Sequence, residues 1–159
     1  MVIRISIITL VLLLAPLSVA AKKLWTETTP QVNATHIFKG EINRSGKPTG
    51  FHAKFNGQTP KNIRILRIKG EPNRVGVYTA RIAIKDPVTG KWKEKFSSMF
   101  PDKLKITEVV KAIVHAYQNR DKGRSQPWRG PSGHGFPIEG YLLDNGSINT
   151  AYPIYVRDR

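Results

Sequence analysis

The chain has 159 residues, 40% of them hydrophobic, and no cysteine, which suits one compact domain and excludes a disulfide scaffold, thiol catalysis, a thiolate zinc site and an iron–sulfur cluster. Lys and Arg number 26 against 11 Asp and Glu, a formal net charge of +15. An excess of that size favours a polyanionic partner: nucleic acid, an anionic membrane or an acidic polysaccharide.

Residues 1–20 read as a secretory signal peptide. Arg4 gives a short positive start, Ile5 to Leu14 is nearly all apolar, and Ser18-Val19-Ala20 or Val19-Ala20-Ala21 supplies the small-x-small pattern of a cleavage site. Pro16 and the basic pair Lys22-Lys23 fit cleavage better than retention as an anchor. The expectation is a secreted or periplasmic protein with no stable membrane insertion after cleavage.

Residues 21–35 are polar and without period, a loosely held lead-in. Asn62 to Lys69 is β-rich, with an alternation that slips once, as a bulge makes it do. Val75 to Lys85 is a clearer strand, with Tyr78, Ala80, Ile82 and Ile84 on one face. Asp86 to Gly90 is a turn into Lys91–Phe96, which alternates aromatics with lysines. If Lys85 sits opposite Lys91, Ala83 faces Lys93 and Arg81 faces Lys95. One side of the ribbon is then strongly basic, and it needs water or an anion because facing like charges repel.

Asp102 to Arg120 predicts the main helix, with Val109, Val110, Ile113, Val114 and Tyr117 forming an apolar stripe and His115 on its polar flank, facing solvent. Residues 121–135, rich in Gly, Pro, Ser and Arg, read as a long basic loop. Phe136 to Leu143 and Ile148 to Val156 read as a second hairpin turning at Asn145-Gly146. The order is mostly β around one helix, an α+β domain.

Of the four histidines, none has the i, i+4 or H-x-H spacing of a metal site, and the acids do not cluster, so no metal or other cofactor is expected. His36 and His52 border short Gly-flanked segments and can meet if the 15 intervening residues fold back; from spacing alone this is a weak signal. In the last hairpin Leu143 is expected opposite Ile148 and Tyr141 opposite Thr150. Thr150 and Tyr152 then share a face about 7 Å apart, a hydroxyl beside an aromatic, which suits a nucleobase.

Several blocks then occur in a telling order: His36-Ile37-Phe38-Lys39-Gly40-Glu41, Gly50-Phe51-His52, Gly76-Val77-Tyr78, Ser97-Ser98-Met99-Phe100-Pro101, Trp128-Arg129-Gly130, Ile138-Glu139-Gly140-Tyr141 and Thr150-Ala151-Tyr152-Pro153. Over about His36 to Tyr155 the chain resembles the bacterial EndoU endoribonucleases, including toxin domains of contact-dependent inhibition and polymorphic toxin systems. The resemblance implies an EndoU/RNase A-like nuclease fold over residues 36–156. It also implies a site of two histidines, a lysine and a Thr/Ser-x-Tyr pair, which match His36, His52, Thr150 and Tyr152. For the lysine, Lys95 fits best; Lys93 has the same strand parity and Arg129 is a third candidate.

The implied reaction is attack of a uridylate's 2′-hydroxyl on the adjacent phosphate of single-stranded RNA, without a metal, leaving a 2′,3′-cyclic phosphate. Lys93, Arg81 and Arg129, with Thr150 and Tyr152, are the expected RNA contacts. The implied partners are RNA and, for a toxin, a cognate immunity protein; the chain itself is expected to be a monomer. The competing reading is a non-catalytic secreted cationic domain that binds polyanions. It accounts for the charge and the leader but makes no use of the two histidines or of Thr150-Ala151-Tyr152.

Overall fold

The computed structural model describes residues 23–158; the expected leader, residues 1–20, lies outside them. Among the described residues no helix is long and apolar enough to cross a membrane. The elements run α1 (Ala34–Phe38), β1 (Glu41–Ile42), β2 (Pro48–Thr49), β3 (Ile63–Gly70), β4 (Tyr78–Lys85), β5 (Trp92–Met99), α2 (Ile106–Gln118), β6 (Trp128–Pro131), β7 (Pro137–Leu142) and β8 (Ile148–Pro153). They form three antiparallel sheets, ordered β1-β2, β3-β4-β5 and β6-β7-β8, with α2 as the main helix. The expected α+β class is therefore the observed one.

The segment read as a loose lead-in is docked instead. Val32 is fully buried and bridges to Ile148, and Asn33, also fully buried, caps α1 by accepting from the His36 amide at 3.1 Å. A polar cap spends its hydrogen-bonding capacity inside the fold, so hydropathy alone misreads such a segment as exposed.

The β4–β5 ribbon corrects the expected register by one residue. Lys85 faces Trp92, Ala83 faces Glu94 and Arg81 faces Phe96, while Ile82 faces Lys95 and Ile84 faces Lys93. The slip comes from the turn, where the Asp86 amide donates to the Lys91 carbonyl at 2.8 Å, so that pair closes the loop one step beyond the strands. Because side chains alternate, one residue of slip exchanges the faces. Lys93 and Lys95 thus point inward with Ile82 and Ile84, and Arg81 points out the other side, paired with Glu94 at 3.2 Å. The single basic face expected for this ribbon does not form.

Strand β3 carries two irregularities rather than one, at Ile65/Arg67 and Ile68/Gly70. The long loop expected over 121–135 contains β6, whose Trp128 is buried against α2's Tyr117 with ring centroids 5.4 Å apart. In the last hairpin Tyr141 does face Thr150, but Leu142, not Leu143, faces Ile148. The turn is a three-residue one, with the Gly146 amide on the Leu143 carbonyl at 2.9 Å and Gly146 at φ +81°, and Asn149 absorbs the extra step.

Two apolar clusters result. One packs α2, through Val109, Val110, Ala112, Ile113 and Ala116, on the β6–β8 sheet at Trp128, Ile138 and Ala151. Gly130 permits this approach, since a Cβ there would lie 1.9 Å from the Ala116 carbonyl oxygen. The other gathers Tyr78, Ala80, Ile82, Ile84 and Met99 on the inner face of the β3–β5 sheet over Phe51. His115 lies exposed on α2, as its place in the stripe predicts. The open face of β6–β8, bearing Arg129, Glu139, Tyr141, Thr150 and Tyr152, meets the end of β5, where the Ser98 hydroxyl donates to the Pro153 carbonyl.

Candidate active site

His36 and His52 come together by backbone means. The β1–β2 hairpin reverses the chain, and the Phe51 amide then donates to the His36 carbonyl at 2.7 Å and the His52 amide to the Ile37 carbonyl at 2.8 Å. Gly50 stands where these strands of chain cross. Its φ is +73° and an added Cβ would lie 2.2 Å from the His36 carbonyl oxygen, so both conformation and space require glycine. The two imidazole centroids end 6.1 Å apart, tilted by 33°.

The rings are held differently. His52 Nδ1 lies 3.0 Å from the Ser98 carbonyl oxygen, which can only accept, so Nδ1 bears the proton and Nε2 the free lone pair. Ser97 lies 3.2 Å from the same nitrogen while its hydroxyl donates to the Phe51 carbonyl at 2.6 Å, which fixes ring and loop together. Burial, followed by the charges of Lys95 and His36, holds His52 well below the usual histidine range, against the opposing pull of the Ser98 carbonyl. His52 is therefore neutral at pH 7. His36 Nδ1 instead lies 3.0 Å from a carboxylate oxygen of Glu41, whose own pKa is lowered chiefly by that hydrogen bond. A protonated His36 has its counter-charge in place, and its Nε2 is left for a reacting group.

Lys95 donates to the Gly50 carbonyl at 2.9 Å, two residues before His52, and burial lowers its pKa to about 8. Lys93, on the same face, is bound to the Asp86 carboxylate at 2.7 Å and the Gly46 carbonyl at 2.9 Å, so it ties the β4–β5 turn to the β1–β2 turn. Lys93 and Arg81 are accordingly not brought to the histidine pair. The cause is the one-residue slip for Arg81 and the Asp86 partner for Lys93.

Tyr152 packs its ring 5.5 Å from that of His52 and points its hydroxyl to Glu139 at 3.4 Å. Burial and the Glu139 charge push the phenol up to about 12, which keeps it a neutral donor. Thr150 lies two residues away on the same face, opposite the exposed Tyr141. Arg129 reaches the rim, where it and Arg124 share the Glu139 carboxylate at 3.0 and 2.8 Å. Glu41, Ser97, Glu139 and Arg124 carry no role in the sequence reading. The first three stand inside the blocks that carry the resemblance, but what they touch depends on long-range packing.

This arrangement, one imidazole with a free lone pair, a second with a carboxylate behind it, and a half-buried cation beside them, is suited to moving two protons around a phosphate. A sequence profile of the family described as bacterial EndoU nuclease matches residues 30–155. The chain belongs to the bacterial EndoU nuclease family. The chain is also 34% identical over 119 residues to a protein of Bacillus cereus named as a toxin, an alignment that covers 74% of this chain and 21% of that relative. The chain thus spans about a fifth of the length of that curated relative. No solved structure matches the chain.

Proposed function

We propose that this member of the family is an exported toxin that cuts single-stranded RNA after uridylates by transphosphorylation. His52 Nε2 takes the proton of the ribose 2′-hydroxyl as that oxygen bonds to the adjacent phosphorus. The bond from phosphorus to the 5′-oxygen breaks, and His36 Nε2 gives its proton to that oxygen. The products are a 2′,3′-cyclic phosphate and a 5′-hydroxyl, with no water consumed. The observation that carries the assignment is the hydrogen bond of His52 Nδ1 to the Ser98 carbonyl, against that of His36 Nδ1 to the Glu41 carboxylate. The first leaves an acceptor and the second supports an acid, and each such transfer contributes roughly 10²–10⁴-fold in rate.

Lys95 is the cation for the non-bridging oxygens of the phosphorane, where charge builds up in the transition state. Thr150 takes the uracil edge and Tyr152 orients base or ribose. These side chains fill each role themselves, so the reaction proceeds in chelator. The toxin reading is supported by the name of the Bacillus cereus relative, and export by the leader-like residues 1–20. A cytoplasm that makes such an enzyme needs shielding, which gives a cognate immunity protein as its second partner after RNA.

The test is a uridine-containing RNA incubated with the protein with and without EDTA, beside the same RNA carrying 2′-deoxyuridine at the scissile position. Cutting of the first in both conditions, none of the second and a cyclic phosphate end are expected. Cutting of the deoxy substrate would overturn the mechanism.

A further inference from the structure

The outer face of the β3–β5 sheet, turned away from the histidine pair, is built unlike a plain solvated surface. Arg64 reaches across β4 to lay its guanidinium 3.9 Å from the centre of the Trp92 ring, and its pairing partner Ala83 is only 2% exposed. Phe96 is 55% exposed on the same face, opposite Arg81 and in line with Arg67. Arg64 and Arg67 form no ion pair among the described residues, and Glu94 is the acid that answers Arg81. The far end is closed by the C-terminal segment, where Tyr155 crosses Gly70 and donates to the Glu71 carbonyl at 3.1 Å. The cations and aromatic rings are thus left open at the centre and turn end.

The geometry points to a second, non-catalytic docking site for single-stranded RNA on this face, which rests on the nuclease reading and extends it. Bases stack on Trp92 and Phe96 while Arg64, Arg67 and Arg81 take the phosphates, the pairing of ring faces and cations that sequence-tolerant strand binders use. A protein partner fits less well. Its interface calls for a continuous apolar centre with charge at the rim, whereas here the rings are separated by arginines. Lys95 and Phe96 are consecutive on β5 and point to opposite faces, so one strand of RNA that rounds the sheet engages both sites. The consequence is a preference for long over short RNA without any change in the chemistry.

The experiment compares the wild-type protein with Arg67→Glu and with Phe96→Ser. Cleavage of a trinucleotide with one uridine reads the histidine site alone. Fluorescence anisotropy with a 30-nucleotide 2′-O-methyl RNA, which lacks the nucleophile, reads binding alone. We expect trinucleotide cleavage within twofold of wild type for both variants. The long RNA is expected to bind about tenfold more weakly, and Arg67→Glu to lower the slope of log affinity against log salt by about one or more. Unchanged affinity and slope in both variants would overturn the docking site. Failure of the wild-type protein to cut the trinucleotide would overturn the nuclease reading separately, because the binding arm requires no cutting.

Discussion

At the residue scale the site is a matter of unequal surroundings for two equal rings. His36→Ala and His52→Ala are each expected to lower single-turnover cleavage by roughly 10²–10⁴-fold while RNA affinity stays within twofold, measured by gel assay and anisotropy. Lys95→Ala is expected to cost far more activity than Lys93→Ala. Lys93→Ala should instead show as a lower melting temperature, since the Asp86 carboxylate, itself held well below the ordinary range by Lys93 and the Val88 amide, loses its cation. The reverse order of activity losses would move the electrostatic role to Lys93. The pH profile follows from two groups shifted by burial. His52 is held below its ordinary 6.5, so it remains a competent base down past that pH, and the acid limb of kcat/KM should lie below 6.5. Lys95 loses its charge through about 8, so the rate should be falling by then on the alkaline side. The same His52 shift acts on stability. The unfolded chain takes up a proton near 6.5 that the folded chain refuses, so His52's share of stability is intact above that pH and declines as pH falls below it. A His52 ring-proton titration by NMR with a midpoint above 6.5 would contradict both statements.

At the level of elements, the site depends on how short pieces of chain are stopped and turned. Helix α1 has five residues, too few to stand by propensity, and is held by the Asn33 cap at one end and Gly40 at φ +63° at the other. The Gly50 crossing then sets His52 against it. Gly50→Ala should destabilise the protein by about 1–2 kcal/mol from the left-handed backbone alone, with more from the collision at the His36 carbonyl. It should also reduce cleavage, because the ring-to-ring distance is set there. Denaturant melts and single-turnover rates check both effects, and a variant with wild-type stability would show that the crossing is not tight. Much of this level was legible in advance: the main helix, expected over 102–120 and found at 106–118, the strands expected over 75–85 and 91–96 and found at 78–85 and 92–99, and the Tyr141–Thr150 pair. What escaped were features whose cause is long-range or a single hydrogen bond, namely β6, the buried Asn33 cap and the hairpin turns, one residue shorter than expected at Asp86–Lys91 and one residue longer after Leu143.

Over the whole molecule, a formal charge of +15 favours a polyanion at long range, and on the proposed function it acts on RNA before any side chain reads a base. Cleavage of long RNA under kcat/KM conditions should therefore fall linearly on a log–log plot against salt, with a slope that counts the phosphates engaged. Cleavage of a trinucleotide should be far less sensitive, and equal slopes would place all phosphate contacts within the histidine site. The charge is not gathered on one ribbon face as the strand alternation suggested. The β4–β5 register divides it, sending Lys93 and Lys95 inward and Arg81 outward.

Composition and residue order by themselves determined the class of fold, the excess of positive charge, and the ordered blocks, His36, His52, Thr150 and Tyr152 among them, that carry the family resemblance, because amphipathic periods and motif chemistry are local properties of the chain. The tertiary structure decided which nitrogen of each ring is free, which lysine lies beside them and which face each arginine takes. Those outcomes turn on one residue of register and on partners such as Glu41, Ser98 and Asp86. A side chain's charge state and direction are set by what packs against it, and that is determined only when distant segments meet.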